Sequence, residues 1–150
     1  MTRRIAYAQV APDGIKALQG TRTYFESTAI GPRLRALVEL RVSQINGCSY
    51  CVDLHSQEAR RAGEGQQRLD ALPVWRETPF FDDRERAALA WAEAVTLVAQ
   101  TTAPDPDYEA ASRHFTEKDL VDLTLIIAMM NAWNRVAIGF RQGPTLRREG

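Results

Sequence analysis

The segment from Leu120 to Ile138 constrains this chain more than any other. Leu120, Val121, Leu123, Leu125, Ile126 and Ile127 open it, and Met129, Met130, Trp133, Val136 and Ile138 continue it. At roughly 100° per residue these side chains surround a helix axis instead of forming one stripe. A helix apolar on every side must be buried on every side. Its longest apolar run, Leu123 to Met130 with one threonine, is about eight residues, against the ~20 that a membrane span needs. The segment is expected as a core helix, covered either by other helices of the same subunit or by a partner chain.

Length and balance agree with that reading. A chain of 150 residues suits one domain, 1–150. Hydrophobic residues make up 45% and charged residues 25%, the balance of a globular protein and not of a disordered one. Lys plus Arg number 19, as do Asp plus Glu, so the formal net charge is zero. Such a balance gives no long-range pull toward nucleic acid or anionic lipid. Neither partner is expected. It also does little to keep copies apart, which favours self-association. Met1 to Arg4 is briefly basic, but Tyr7 and Gln9 interrupt the stretch from Ile5 to Ala11, so no signal-peptide core is expected. The expected location is the cytoplasm.

Helix punctuation recurs along the chain, and no alternating run reads as a strand. Pro12-Asp13-Gly14 opens a helix through Phe25. Gly31-Pro32 opens a second, whose Leu34, Leu37, Val38 and Ile45 keep to one face until Asn46-Gly47 stops it. A third runs from about Cys48 to Ala62, and a shorter piece from Gln66 to Leu72. A loop carrying Pro73, Trp75 and Pro79 follows. Asp82 with Glu85 makes a capping-box start, Asp105-Pro106 begins another helix to about His114, and Thr116 with Asp119 begins the last. The expected fold is an all-α bundle of about six to seven helices.

The chemistry concentrates between Glu39 and His55. Cys48 and Cys51 are the only cysteines, and His55 is one of two histidines. On a helix beginning at Cys48, Cys51 lies about 60° around and 4.5 Å along, and His55 about 20° around and 10.5 Å along. All three then share one face, with His55 the i+4 neighbour of Cys51. Free amides and the positive dipole end of a first helical turn stabilise a thiolate. Glu39, on the preceding helix, returns toward His55 if the chain turns back at Asn46-Gly47. Stapling is a poor reason for the pair, because so short a loop is worth only about 2 kcal/mol.

Taken singly, His55 and Glu39 would be ordinary helix residues; their spacing from the cysteine pair sets them apart. His114 reads as a dipole partner at a helix end. Arg41 reads as an ion-pairing residue at an interface or a snorkelling one. Trp75, Trp91 and Trp133 read as packing residues. Zinc is the competing use of the motif, with Cys48, Cys51, His55 and Glu39 as ligands. A structural zinc site usually draws on a second cysteine or histidine pair, which this chain lacks nearby.

The run Glu39 through Cys48-Ser49-Tyr50-Cys51 to His55, followed by Glu58-Ala59-Arg60-Arg61-Ala62-Gly63, resembles the core of the alkylhydroperoxidase AhpD-like proteins of the carboxymuconolactone decarboxylase superfamily. The stretch Leu72 to Phe81, Arg84 to Leu97 and Asn131-Ala132-Trp133-Asn134-Arg135 extend the likeness over about residues 30–140. The decarboxylase branch lacks the cysteine pair, so its activity is not what the likeness implies. The resemblance implies an all-helical homo-oligomer, a trimer or hexamer, that reduces hydroperoxides with an external dithiol. It implies no organic cofactor and no metal. Better-studied members carry a histidine just before the second cysteine, where this chain has Tyr50.

The expected function is therefore a thiol-dependent peroxidase with Cys51, Cys48, His55 and Glu39 as its site. Cys51 is expected to attack peroxide, and Cys48 to be the more exposed, resolving cysteine. His55 is expected to act as general base, oriented by Glu39. The alternatives are a redox-sensing or disulfide-exchange oligomer with little turnover, and a zinc-stabilised helical module.

Overall fold

Proline and capping residues mark most of the helix starts. The computed structural model describes residues 2–147, and among them the regular structure is nine α-helices and one 3-10 turn. In order these are α1 (Tyr7–Val10), α2 (Pro12–Glu26), α3 (Pro32–Asn46), α4 (Ser49–Arg61) and α5 (Gln66–Ala71), the 3-10 turn (Leu72–Glu77), then α6 (Asp83–Thr96), α7 (Val98–Thr101), α8 (Asp105–Ser112) and α9 (Glu117–Gly139). The fold is all-α. The count exceeds the six or seven expected because α1 and α7 are single turns without a side-chain cap, and the Pro73 loop winds into the 3-10 turn. Asp82 and Glu85 form the capping box: the Glu85 amide donates to Asp82 Oδ1 at 2.8 Å, and the Asp82 amide to Glu85 Oε2 at 2.9 Å.

Helix α3 is the hub, packed on α4, α6 and α9. Its Leu34, Val38 and Val42 enter one apolar cluster with Leu123, Ile126 and Ile127 of α9. Its Leu37 and Leu40 enter a second with Leu72, Trp75 and Leu89. Each such leucine, fully buried, contributes about 1.5–3 kcal/mol. A helix sandwiched in this way is held rigidly, and so is what its C-terminus carries.

Helix α9 is not enclosed on every side by the subunit. Leu123, Ile126, Ile127 and Met130 are buried, but Val121, Leu125 and Ile138 remain 58%, 46% and 45% exposed. Its 23 residues are long and apolar enough to cross a membrane by length and composition. Its polar groups nevertheless find partners inside the bundle. Asp122 accepts from Tyr24 at 2.7 Å and Lys118 at 2.6 Å, and Asn134 joins Asn46 and Ser43 at 2.9 and 3.1 Å. These bonds tie α9 to α2 and α3, as suits a core helix.

Two carboxylates clamp the remaining elements. Glu64, whose side chain is fully buried, accepts from Arg33 at 2.6 Å and Arg68 at 2.7 Å. Glu93 accepts from Arg41 at 2.8 Å and Trp75 at 2.9 Å. Arg41 thus pairs with Glu93 of its own chain.

Candidate functional site

The turn between α3 and α4 builds the site. Gly47 takes φ 69°, a left-handed angle that glycine adopts without a Cβ penalty. The Gly47 amide donates to Gln44 O at 3.2 Å and the Cys48 amide to Ser43 O at 3.0 Å, a Schellman closure. Cys48 then serves as N-cap of α4, in extended conformation, and its Sγ accepts from the Cys51 amide at 3.4 Å. It is therefore not the first helical residue, and the rotational arithmetic that begins at Cys48 does not apply. The i,i+4 relation of Cys51 to His55 does hold, since both lie within α4. The cysteine Cα atoms are 5.3 Å apart, inside the range a disulfide spans.

A cavity of about 500 Å³ opens between α2, α4 and α9, with α1 across one side. Cys51, His55 and Glu39 are among its lining residues. Phe25, Ile126, Met130 and Trp133 form much of its apolar wall, so Trp133 is a cavity residue as well as a packing one. Tyr50 also lines it, at the position where better-studied relatives carry histidine. The Arg4 amide donates to Phe140 O at 3.0 Å, and the Tyr7 and Phe140 rings lie 5.7 Å apart, which fixes the N-terminal segment against the end of α9.

Contrary to expectation, Cys48 is not the more exposed cysteine. Both are buried, Cys48 at 1% and Cys51 at 3% exposed, and both pack in the core, but Cys51 lines the cavity and Cys48 does not. The reason is the cap: the N-cap conformation turns the Cys48 side chain back over the first turn, onto the amide of Cys51.

His55 sits between two carboxylates. Its Nδ1 is 2.9 Å from Glu58 Oε2 and 3.4 Å from Glu39 Oε2. Arg22 lies 2.7 Å from Glu58, and Arg35 4.0 Å from Glu39, so each carboxylate has a cation behind it. Burial disfavours the charged imidazole, but Glu39 and Glu58 outweigh it and raise the His55 pKa from 6.5 to about 9. The hydrogen bond from His55 opposes burial in turn and, with help from Arg22, lowers Glu58 to about 2. His55 is thus held in its charged form at neutral pH.

Glu58 lies in the sequence motif but is not among the residues expected at the site. Its i+3 spacing from His55 is the signal that could have found it. Glu39, His55 and Glu58 also bring their ligand atoms within 4.8 Å of one another. The zinc set considered from sequence is not gathered, because neither cysteine joins this group. Cys48 is turned away as a cap, and both carboxylates face the His55 imidazole.

The charged trio sets a stability window. A raised histidine pKa stabilises the fold fully below the unfolded value of 6.5, and that contribution is lost as pH rises through about 9. A lowered Glu58 stabilises above 4.5, and its share is lost as pH falls toward about 2. Denaturant midpoints should therefore be highest between pH 4.5 and 6.5 and drop by pH 9. The alkaline loss is on the order of 3 kcal/mol. His55→Gln should remove most of that alkaline drop.

A helical bundle with a cysteine pair opening one helix, and a carboxylate-held imidazole one turn on, defines an AhpD-like site. Comparison with known proteins agrees. The profile of the carboxymuconolactone decarboxylase family matches residues 12–94. The uncharacterized protein YdfG of Bacillus subtilis is 39% identical over 138 residues, 92% of this chain and 94% of YdfG. A crystal structure from Agrobacterium tumefaciens, of a protein of unknown function described as a putative antioxidant defence protein AhpD, is 41% identical. It superposes with a TM-score of 0.93, over 97% of this chain and 100% of the other. The debrominase Bmp8, at 22% identity, TM-score 0.76 and coverage of 89% and 73%, shares the fold. The chain belongs to the carboxymuconolactone decarboxylase family and is AhpD-like within it.

Proposed function

We propose that this protein is a thiol-dependent peroxidase that reduces hydroperoxides with electrons from an external dithiol. The observation that carries the reading is Cys51 lining a cavity beside an imidazole that two carboxylates keep charged. The Cys51 thiolate attacks the hydroperoxide, the O–O bond breaks, and Cys51 becomes a sulfenic acid. His55 supplies the proton to the departing alcohol. Cys48 condenses with the sulfenic acid, giving the Cys48–Cys51 disulfide and water. An external dithiol entering by the cavity meets Cys51 first and forms a mixed disulfide there. The Cys48 thiolate leaves, stabilised by its amide contact at the helix start. The second thiol of the reductant then releases Cys51. No metal or organic cofactor enters these steps.

The burial of both cysteines favours one alternative, a redox sensor whose pair changes state without steady turnover. Peroxide-dependent oxidation of several dithiols, followed at steady state, separates the two. Sustained consumption of one dithiol per peroxide supports the peroxidase. A single stoichiometric burst with every dithiol supports the sensor.

We further propose a homo-oligomer, a trimer or hexamer. Val121 and Leu125, one turn apart on α9 and left exposed by the subunit, and the zero net charge support it. Light scattering at micromolar concentration should give a mass of three or six chains, and a stable monomer would remove this role for α9. A cytoplasmic location, where dithiol reductants are maintained, belongs to the same reading.

A further inference from the structure

We infer that the cavity beside Cys51 takes an amphipathic organic acid, its carboxylate held by Arg35, so that the hydroperoxides it serves best are carboxylate-bearing ones. This rests on the peroxidase reading only for the word hydroperoxide; the binding of the acid stands on the cavity alone.

Three observations carry it. The first is the state of Arg35. Its side chain is only 14% exposed, yet among the described residues it makes no hydrogen bond, and its one ion-pair contact, to Glu39, is at 4.0 Å. A guanidinium offers five donors in a fork that matches a carboxylate. One left this poorly engaged in a largely buried place lacks an anion to complete it. The other arginines near the site are better occupied: Arg22 has Glu58 at 2.7 Å, and Arg3 donates to Ile5 O at 3.2 Å.

The second observation is the charge balance. Arg3, Arg22, Arg35 and the charged His55 stand around the cavity against Glu39, Glu58 and Glu26, the last paired with Arg22 at 3.6 Å. With the cysteines oxidised one cation is in excess. In a protein of zero net charge, this excess is local. The third observation is Gln142, a cavity-lining residue whose buried Oε1 has no hydrogen-bond partner. An orphaned buried acceptor costs about as much as a lost hydrogen bond, and the O–H of a hydroperoxide can donate there where an ionised carboxylate cannot, so this atom suits the peroxide end of the ligand. The remaining wall, with Ile15, Phe25, Ile126, Met129, Met130 and Trp133, suits an alkyl or aryl body. A volume of about 500 Å³ is that of a small-molecule site and far exceeds what hydrogen peroxide requires.

Calorimetric titration of the oxidised protein with octanoate and with methyl octanoate tests the assignment. The two probes share their chain and differ in charge. Octanoate should bind at least about ten-fold more tightly, the scale of a charged hydrogen bond, and the preference should shrink in high salt. Arg35→Met should bring the ratio close to one, and Arg35→Lys should restore part of it. The salt dependence of the wild type serves the same purpose if the Arg35 variants fail to fold. Equal binding of acid and ester, or a full preference surviving in Arg35→Met, would overturn the assignment. Turnover of linoleic acid hydroperoxide and its methyl ester then separates this inference from the peroxidase reading. Equal kcat/KM for the two overturns the carboxylate site and leaves the peroxidase intact. No turnover of either, with the acid still preferred in binding, overturns the peroxidase and leaves the site.

Discussion

Cys51→Ser is expected to lose peroxide reduction completely, while Cys48→Ser still reacts once and stops as a sulfenic acid on Cys51. Position produces the difference. Cys51 lines the cavity and has His55 at i+4, whereas Cys48 caps α4 from the core side. Attack needs a sulfur that peroxide can reach and a proton for the departing oxygen, and one cysteine has both. Condensation with the sulfenic acid needs only the short reach across the cap. Trapping of the sulfenic acid in each variant after one dose of peroxide, with mass spectrometry to place the label, checks this. Label on Cys48 in Cys51→Ser, formed at the wild-type rate, would reverse the assignment.

His55→Ala is expected to slow formation of that sulfenic acid by roughly 100- to 10,000-fold, the range for a lost acid–base group. Two effects combine in it. The imidazolium faces Glu39 and Glu58 through Nδ1, and Nε2 makes no hydrogen bond among the described residues. Its removal deprives a Cys51 thiolate of its cation and the leaving oxygen of its proton. Rapid-mixing measurement of thiol loss gives the rate. The pH profile gives the identity of the group: the wild type should decline as pH rises through about 9, and that limb should be absent in His55→Ala. A variant with the wild-type rate and profile would take His55 out of the chemistry.

The long helices were legible because their ends are marked locally. The Asp82–Glu85 box and Thr116 each satisfy a helix start with groups a few residues apart, and Pro32 marks one by its fixed φ and missing N–H. Helices α1 and α7 carry no such mark. Contacts distant in sequence hold α1, such as Tyr7 against Phe140, and no local pattern encodes them. The 3-10 turn owes its place to Trp75, whose indole reaches Glu93 on α6.

The site divides in the same way. Cys51, His55 and Glu39 were legible because a helix of known pitch and a short turn fix their relation. Cys48 was placed on the wrong side because a cap residue does not follow that pitch. Arg22 and Arg35 were invisible as site residues. An arginine on a helix looks the same in sequence whether it faces water or a cavity. Burial of Arg35 without a close partner appears only once α2, α3 and α4 are assembled.

The central claim, that Cys48 and Cys51 act as one two-electron unit, is tested most directly by titrating the fully reduced protein with a single equivalent of hydroperoxide and counting thiols. The account predicts the loss of two free thiols per chain, an intrachain Cys48–Cys51 disulfide in the peptide map, and full recovery of both thiols with a dithiol. Thiols unchanged by the peroxide, or a disulfide joining cysteines of different chains, would contradict it.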